Sequence, residues 1–220
     1  MNHLETELKE LQDTILEMMK LCISQLEKAK GAFLYNDEGL AHDVIHSEKL
    51  INALELNIDR ICENICVLFQ PVATDLRFVI ASLKINSDLE RIGDYADSIA
   101  GYVIDIAKPI PEEALEKIQM SKMFDIAISM MTDIHKAYEE GNSKLARDVY
   151  KKDVKLNKIN GKAFNAISKL IKESPSEVKP FLLLFATTKK IERTGDHIKN
   201  IAEDIIFHID AEVLKHKKKK

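Results

Sequence analysis

The sequence contains 220 residues, of which 45% are hydrophobic and 31% are charged, and its formal net charge is -4. A chain of this length can bury a core in one large domain or in two of ordinary size. Because positive and negative residues are interspersed, nothing indicates a body-wide basic field of the kind that binds nucleic acid. Cys22, Cys62 and Cys66 form no CxxC pair and are too few for a disulfide framework, so reduced core cysteines are expected.

Only seven Gly, five Pro and no Trp occur, at intervals typical of long helices rather than strands. The first predicted helix covers about residues 4–35 and ends at Asn36 to Gly39. The second covers about 40–69 and ends at Gln70 and Pro71, and the third covers about 72–107. The segment 108–111, with two prolines in three residues, is the predicted junction between two halves.

The second half repeats this plan. A helix is predicted over about 112–140, a turn at Gly141 and Asn142, a helix to about 173, and a last helix to about 213. In the turn 174–177, Ser174 is expected to cap, Pro175 to take the first helical position, and Glu177 to complete a capping box. The lengths predict an all-α fold of two tandem three-helix bundles with six long helices.

Neither end of the chain predicts membrane insertion. The first residues, MNHLETELKELQD, lack the pattern of a signal peptide, and no apolar run approaches the length of a membrane span. A cytoplasmic protein is expected, with any membrane association peripheral. The basic tail from Lys215 to Lys220 is expected to be a solvated, disordered end rather than an anionic-lipid or nucleic-acid contact.

Two segments of the sequence are near-copies. Residues 89–100 (LERIGDYADSIA) and 191–202 (IERTGDHIKNIA) lie 102 residues apart and share six of twelve residues. A duplicated helical unit is therefore predicted. Each copy has a Glu and an Asp four residues apart, which places both carboxylates on one helix face.

Steps of three and four residues connect these acids to apolar residues along each helix. The third helix has the stripe Val79, Leu83, Asn86, Glu90, Asp94, Asp97, Gly101 and Ile104. The last helix has the stripe Phe181, Phe185, Thr188, Glu192, Asp196, Lys199, Glu203 and Ile206. The preceding helices carry matching runs, Glu48, Asn52, Glu55 and Asp59 in the first half and Asp153, Asn157 and Asn160 in the second.

If the two helices of each hairpin face each other through these stripes, the acids converge. Clustered carboxylates repel unless a cation or a basic partner lies among them. Oxygen ligands without thiolates suit Mg, Ca, Mn or iron. The alternative is that the acids pair with nearby arginines and lysines on a solvated face, and spacing alone does not decide between the two.

Three other residues have simple interpretations. His197 follows Asp196 but points about 100° away from the acidic line, so a surface position is expected. Gly93 and Gly195 either allow a neighbouring helix or ion to approach closely or are merely tolerated within the helix.

Three short segments of the sequence resemble motifs of a known family. Residues 70–77 (QPVATDLR), followed by 88–94 (DLERIGD), closely resemble the first repeat of the PhoU family of phosphate-transport accessory and regulatory proteins. Residues 191–196 (IERTGD) resemble its second repeat. The resemblance covers essentially the whole chain, and the paired E-R-x-G-D motifs are specific.

The resemblance implies two pseudo-symmetric three-helix repeats, here 1–108 and 109–214, followed by a basic tail, 215–220. It also implies E/D-xxx-D motifs that hold multinuclear clusters of iron, zinc, manganese, magnesium or calcium. The residues carried over to the first cluster are Glu48, Glu55, Asp59, Glu90, Asp94 and Asp97. Those carried over to the second are Asp153, Glu192, Asp196 and Glu203.

Several positions depart from the family pattern. Asn52 and Asn157 occupy positions where an Asp often completes the motif. In the second repeat, Asn160 occupies the position of the acid Glu55 of the first repeat, and Lys199 occupies the position of the acid Asp97. The second site is therefore expected to bind metal more weakly or not at all.

The implied role is negative control of phosphate uptake and of the phosphate-starvation regulon, without catalysis. The implied partners are the ATPase subunit of the phosphate ABC transporter and a sensor histidine kinase. A cytoplasmic homodimer is expected, with membrane contact through partners and no nucleic acid. The alternatives are a carboxylate-rich metal-binding scaffold and a di-metal carboxylate enzyme, although the sequence contains no Glu-x-x-His motif of the kind that such enzymes use in pairs.

Overall fold

The structure, a computed structural model, describes residues 3–106 and 108–213, so the predicted basic tail lies outside the described residues. These residues form seven α-helices, one 3₁₀ turn at Pro175–Glu177 and no strand. The helices are α1 (His3–Tyr35), α2 (Glu38–Phe69), α3 (Ala73–Asp105), α4 (Glu112–Ile118), α5 (Met120–Glu140), α6 (Ser143–Glu173) and α7 (Val178–Asp210). The all-α prediction is confirmed. No helix in the described ranges is both long and apolar enough to span a bilayer.

Short polar signals account for several helix ends. The side chains of Asp37 and Asn142 accept hydrogen bonds from the backbone N–H groups of Leu40 and Leu145, at 3.0 and 3.1 Å. Each therefore satisfies one of the unpaired donors at a helix N-terminus. Gly141 follows α5 with a φ of 62°, the left-handed conformation in which glycine carries no steric cost.

One predicted helix is interrupted. The helix expected over 112–140 breaks at Gln119, which has φ 56° and ψ 41° and separates α4 from α5. Ile118 and Met120 are both buried on either side of this residue. Because residues two apart on an uninterrupted helix point about 200° apart, onto nearly opposite faces, the kink lets both side chains reach apolar surroundings. No Gly or Pro marks the break, so the expectation of one continuous helix was wrong here.

The predicted capping box before the last helix is also wrong. Ser174 makes no side-chain capping bond, and the backbone N–H of Glu177 donates to the carbonyl oxygen of Ser174 at 3.0 Å. Pro175 does occupy the start of the short 3₁₀ turn. The backbone of a 3₁₀ turn thus replaces the side-chain cap.

Helices of the two halves pack in the same way. In the first half α1, α2 and α3 contact one another, and in the second half α5, α6 and α7 do so, with α4 against α5 and α6. The halves meet through α3 with α7 and through α1 with α5. The buried apolar side chains form one continuous core across both halves. Cys22 and Cys62 lie in it as expected, whereas Cys66 is exposed.

Candidate functional site

The acids carried by α2 and α3 lie side by side on the hairpin that these helices form. We call Glu48, Glu55, Asp59, Glu90, Asp94 and Asp97 the first acidic row. Asn86 of α3 sets the register of the two helices, because its Nδ2 donates to the backbone oxygen of Glu55 at 3.0 Å and to Oδ1 of Asp59 at 2.9 Å. The two predicted stripes therefore face each other.

Burial and, after it, the charges of neighbouring acids raise the pKa of three carboxyl groups of this row. Burial, followed by the charges of Asp59 and Asp94, raises the pKa of Glu55. Burial and then the charge of Asp94 raise the pKa of Glu90. Burial, Glu48 and Asp94 raise the pKa of Asp97. Ionisation of Glu55, Glu90 and Asp97 is thus penalised by burial and by the charges of their acidic neighbours.

Arg91 offsets part of this repulsion. Its guanidinium lies 3.6 Å from Glu90 and 3.2 Å from Asp94, and its side chain is 55% exposed. Pairing with an exposed guanidinium is screened by water and compensates a cluster only weakly. In the arrangement described for residues 3–106 and 108–213, no group of three or more His, Cys, Asp or Glu side chains is placed as a ready-made metal-ligand set.

The second half contains a different arrangement. We call Asp153 of α6 and Glu192, Asp196 and Glu203 of α7 the second acidic row. Nζ of Lys199 lies 2.6 Å from Asp196 and 3.7 Å from Asp153, which is 6% exposed. Asn157 donates to the same oxygen of Asp153 that Lys199 approaches, from Nδ2 to Oδ2 at 3.1 Å. The ammonium group of Lys199 therefore lies between the acids of α6 and α7.

The electrostatics of the second row follow from this lysine. Burial acts to lower the pKa of Lys199, but its hydrogen bond to Asp196 and the charges of Asp153, Asp196 and Glu203 outweigh burial and raise it. Glu203 also accepts a hydrogen bond from the hydroxyl of Tyr150 at 3.2 Å. Lys199 thus compensates part of the negative charge of the second row, at Asp153 and Asp196.

The two rows differ in their fit to a metal ion. In the first row the raised carboxyl pKa values mark a site where a bound cation would relieve repulsion, and its oxygen donors suit hard or borderline cations. In the second row the Lys199 ammonium already contacts two carboxylates, and a cation would have to displace it. The first row thus has oxygen donors of a kind that suits a cation, although no three of the described His, Cys, Asp or Glu side chains are grouped so that they could hold one, whereas in the second row Lys199 takes the place of a cation between Asp153 and Asp196.

The glycines of the repeated motif have a packing role. A Cβ atom on Gly93 would lie 2.7 Å from Cδ1 of Ile51, and one on Gly195 would lie 2.6 Å from Cδ2 of Leu156. Ile51 and Leu156 lie on α2 and α6 and are fully buried. Of the two interpretations of these glycines, close approach of a neighbouring helix is therefore confirmed.

A polar cluster that was not predicted from the sequence lies where α3 crosses α7. Nδ1 of His197 lies 2.6 Å from Oδ1 of Asp88, and Nε2 of the same ring lies 3.3 Å from the hydroxyl of Tyr95. The side chain of His197 is 23% exposed, so the expected surface position was wrong. His197 is covered by residues of α3 in the first half of the chain, and the sequence pattern around Asp196 carries no information about that contact.

This cluster is arranged about a pseudo-twofold axis. Tyr95 and His197 hold the same position in the two motif copies, and their ring centroids are 5.5 Å apart. Asp88 bonds His197 and Asn200, while its counterpart Lys190 bonds Ser98 at 3.1 Å and lies over the Tyr95 ring. The seven-residue spacing from Asp88 to Tyr95 and from Lys190 to His197 is the sequence signal that could have located the cluster.

Each E-R-x-G-D motif lies on a helix that packs against a partner helix with acidic or amide side chains. The two halves that contain these helix pairs each match the same known domain. The sequence profile of the PhoU domain matches residues 15–103 and 120–205. The chain belongs to the PhoU family. Both matched segments contain one acidic row and one motif glycine, so the family signature coincides with the two hairpins described above.

Individual relatives of the PhoU family cover nearly the whole chain. The phosphate-specific transport system accessory protein PhoU homolog of Aquifex aeolicus is 31% identical over 210 residues, which is 96% of this chain and 94% of that protein. The crystal structure of PhoU from Pseudomonas aeruginosa superposes with a TM-score of 0.88 at 28% identity, covering 94% of this chain and 99% of that one. The phosphate transport system regulatory protein PhoU from Streptococcus pneumoniae gives a TM-score of 0.84 at 25% identity, covering 97% and 100%. The predicted family is confirmed.

Proposed function

We propose that this protein is a negative regulator of phosphate uptake and of the phosphate-starvation regulon, and that it acts through protein contacts rather than by catalysing a reaction. The match of the PhoU domain to both halves of the chain carries this proposal. The relatives over nearly the full length are named as accessory or regulatory proteins of phosphate transport systems. A protein of the same fold, length and repeated site fits the same role.

The proposed partners are the ATPase subunit of a phosphate ABC transporter and a sensor histidine kinase. A cytoplasmic location is proposed with them, because both partners expose their soluble domains there, and a homodimer is the proposed assembly. Helix faces that carry charged rows beside exposed apolar residues, such as Leu83 and Ile104 at the ends of the α3 stripe, suit partner binding. Co-purification of both partners in phosphate-rich medium tests the contacts, and sedimentation tests the dimer.

Gene deletion with complementation tests the regulatory role. In phosphate-rich medium, deletion is expected to raise alkaline phosphatase activity and total cell phosphate, and the wild-type chain is expected to restore both. Unchanged values after deletion would contradict the proposal. Complementation with the double variant Glu90→Gln and Asp94→Asn tests whether regulation requires the first acidic row. The comparison requires that the variant protein accumulates to the wild-type level.

For the metal, the proposal is that the first acidic row binds divalent or trivalent cations and that the second does not. The support is the raised pKa of Glu55, Glu90 and Asp97 and the position of Lys199 between Asp153 and Asp196. Iron, zinc, manganese, magnesium and calcium are each tested by measuring bound metal after dialysis and the shift of the unfolding temperature. A bound ion stabilises the folded state to an extent set by its concentration relative to the dissociation constant.

Paired variants distinguish the two rows. Glu90→Gln with Asp94→Asn is expected to abolish metal binding, whereas Glu192→Gln with Asp196→Asn is expected to leave the bound metal unchanged. Equal loss from both variants would contradict the assignment. Lys199→Asp is expected to create metal binding in the second row, because it replaces the internal cation by the acid that Asp97 supplies in the first.

A further inference from the structure

The outer face of α6 carries a long line of exposed lysines. Steps of four and three residues from position 144 to position 172 trace one face of the helix, and seven of the nine positions are lysine. We call these residues the lysine stripe: Lys144, Lys151, Lys155, Lys158, Lys162, Lys169 and Lys172, all of them exposed. The other two positions are Asp148 and Asn165. The small net charge of the whole sequence conceals this local excess of positive charge.

The fold does not require lysines at these positions. Leu156 and Ile51 hold equivalent places under the two motif glycines, so the counterpart of a residue on α6 lies 105 positions earlier on α2. The counterparts of the central part of the stripe, positions 151 to 169, are His46, Leu50, Ala53, Asn57, Arg60 and Asn64. One of these six is a lysine or arginine. The lysine stripe is therefore a property of α6 and not of the repeated architecture.

Internal pairing leaves the middle of the stripe available. Lys151 contacts Asp148 at 2.7 Å and Lys169 contacts Glu173 at 3.6 Å, near the two ends. Within the described part of the chain, Lys155, Lys158 and Lys162 form no ion pair. About two turns of the helix thus present three ammonium groups that form no ion pair among the described residues.

One exposed apolar side chain borders the stripe. Val154 is 54% exposed and lies within one turn of Lys151, Lys155 and Lys158. Phe164 is 63% exposed, but it points about 160° away from Lys162 around the helix, and its ring meets Phe185 of α7 edge-on, with centroids 6.0 Å apart. The lysines, rather than a set of exposed apolar groups, therefore define this face of α6.

We propose that the lysine stripe binds the surface of an anionic lipid bilayer, with α6 lying parallel to it. The stripe is about 42 Å long at about 1.5 Å per residue and drifts about 20° around the helix every seven residues, so a flat surface can meet its central lysines together. The stripe also contains no arginine, the residue that dominates bidentate phosphate and base contacts in nucleic-acid interfaces.

The end of the described chain lies beside the start of the stripe. Arg147, in the first turns of α6, pairs with Asp210 at 3.1 Å and with Glu212. The remaining sequence contains five further lysines, at positions 215 and 217–220. The stripe is proposed to bind without them, and a chain ending at Val213 separates the two contributions.

Vesicle co-sedimentation tests the proposal with the isolated protein and does not depend on the regulatory role. The protein is expected to bind vesicles rich in phosphatidylglycerol and not to bind vesicles of phosphatidylcholine. Binding to the phosphatidylglycerol vesicles is expected to weaken as the salt concentration is raised. A lysine near an anionic surface strengthens binding roughly fivefold, so changing Lys155, Lys158 and Lys162 together to Gln is expected to weaken binding on the order of a hundredfold. Gln retains the helix propensity of Lys, so the variant is expected to fold.

A matched variant controls for net charge. Lys49, Lys122 and Lys136 are exposed and lie on α2 and α5, away from the stripe. Changing these three to Gln removes the same charge and is expected to leave binding near the wild-type value. Equal weakening in both triple variants would overturn the proposal.

Two further outcomes would also overturn it. If the chain ending at Val213 lost all vesicle binding and the stripe variant lost none, the contact would be assigned to the tail. Binding of duplex DNA or of an acidic polypeptide, but not of phosphatidylglycerol vesicles, would assign the stripe to a different class of partner.

Discussion

At the scale of single residues, the glycine of the E-R-x-G-D motif sets the distance between two helices. Gly93 and Gly195 lie where a Cβ atom would enter the side chains of Ile51 and Leu156. These neighbours are buried in a continuous core and have little space to move into. The motif therefore combines an acidic face with a requirement for close packing behind it.

Alanine at these glycines should destabilise the fold. Gly93→Ala and Gly195→Ala are each expected to lower the free energy of unfolding by about 1–3 kcal/mol through overpacking. Gly161→Ala is the control, because a Cβ atom there would meet no other atom within 4 Å and the residue is exposed. That variant is expected to gain about 0.5–1 kcal/mol. Urea denaturation measures all three, and a gain in Gly93→Ala would refute the packing role.

The first acidic row makes stability depend on pH. The pKa of Glu90 is raised in the folded protein by burial and by Asp94, so between its ordinary and its raised value the folded chain binds more protons than the unfolded chain. Stability from this group is therefore lost as pH rises through that range. Glu90→Gln is expected to raise the unfolding temperature at neutral pH by roughly 1–3 °C, with the difference shrinking in acid.

Thermal unfolding across pH measures this effect. The exposed Glu17 on α1 supplies the control, and Glu17→Gln is expected to change the unfolding temperature little at any pH. A lower unfolding temperature for Glu90→Gln at neutral pH would mean that the pairing of Glu90 with Arg91 outweighs its repulsion from Asp94.

At the scale of elements, the break between α4 and α5 depends on one residue in an unfavourable conformation. Gln119 has a φ of 56°, where a side chain carries a steric cost that glycine avoids. Burial of Ile118 and Met120 on its two sides holds it there. The second half therefore has a short and a long helix where the first half has the single helix α1.

Glycine at this break should stabilise the protein. Gln119→Gly is expected to raise the free energy of unfolding by about 0.5–1 kcal/mol, whereas Gln119→Val, with a branched Cβ, is expected to lower it. Ser121→Gly lies just inside α5 and is the control, with an expected loss of about 0.5–1 kcal/mol. Equal losses in both glycine variants would show that the left-handed conformation carries no strain.

At the scale of the whole molecule, the two halves are joined by α3 against α7 and by α1 against α5. The polar cluster of Asp88, His197 and Tyr95 lies at the first of these contacts. The continuous core predicts one cooperative unfolding transition rather than separate unfolding of the halves.

A double-mutant cycle measures the link between the halves. Asp88→Ala and His197→Ala are each expected to destabilise the protein by about 1–3 kcal/mol, because each removes the short hydrogen bond between two partly buried side chains. Their combination is expected to cost less than the sum, with a coupling of about 0.5–3 kcal/mol. Asp88→Ala combined with Lys136→Ala, on α5, is the additive control. Additivity in the first pair would show that the contact contributes nothing to joining the halves.

The sequence was sufficient to predict which acidic residues lie together on a helix face. It was not sufficient to predict which of them are paired with a basic side chain. The spacing of Glu90 and Asp94, and of Glu192 and Asp196, placed each pair on one helix face, and the facing helices bring further acids beside them. The replacement of an acid by Lys199 was visible in the sequence. Its contact with both Asp153 and Asp196 depends on how α6 and α7 are packed.

The sequence by itself determined the helical fold class, the duplication and the family, because these follow from local signals: the spacing of apolar residues, the positions of Gly141 and Pro71, and a repeated motif. Only the tertiary structure decided the break at Gln119, the partial burial of His197 and the position of Lys199 between two acids of the second acidic row. Each of these depends on residues far apart in the chain, whose contacts offset a local cost in backbone strain, desolvation or charge. Periodicity within one helix carries no information about those contacts.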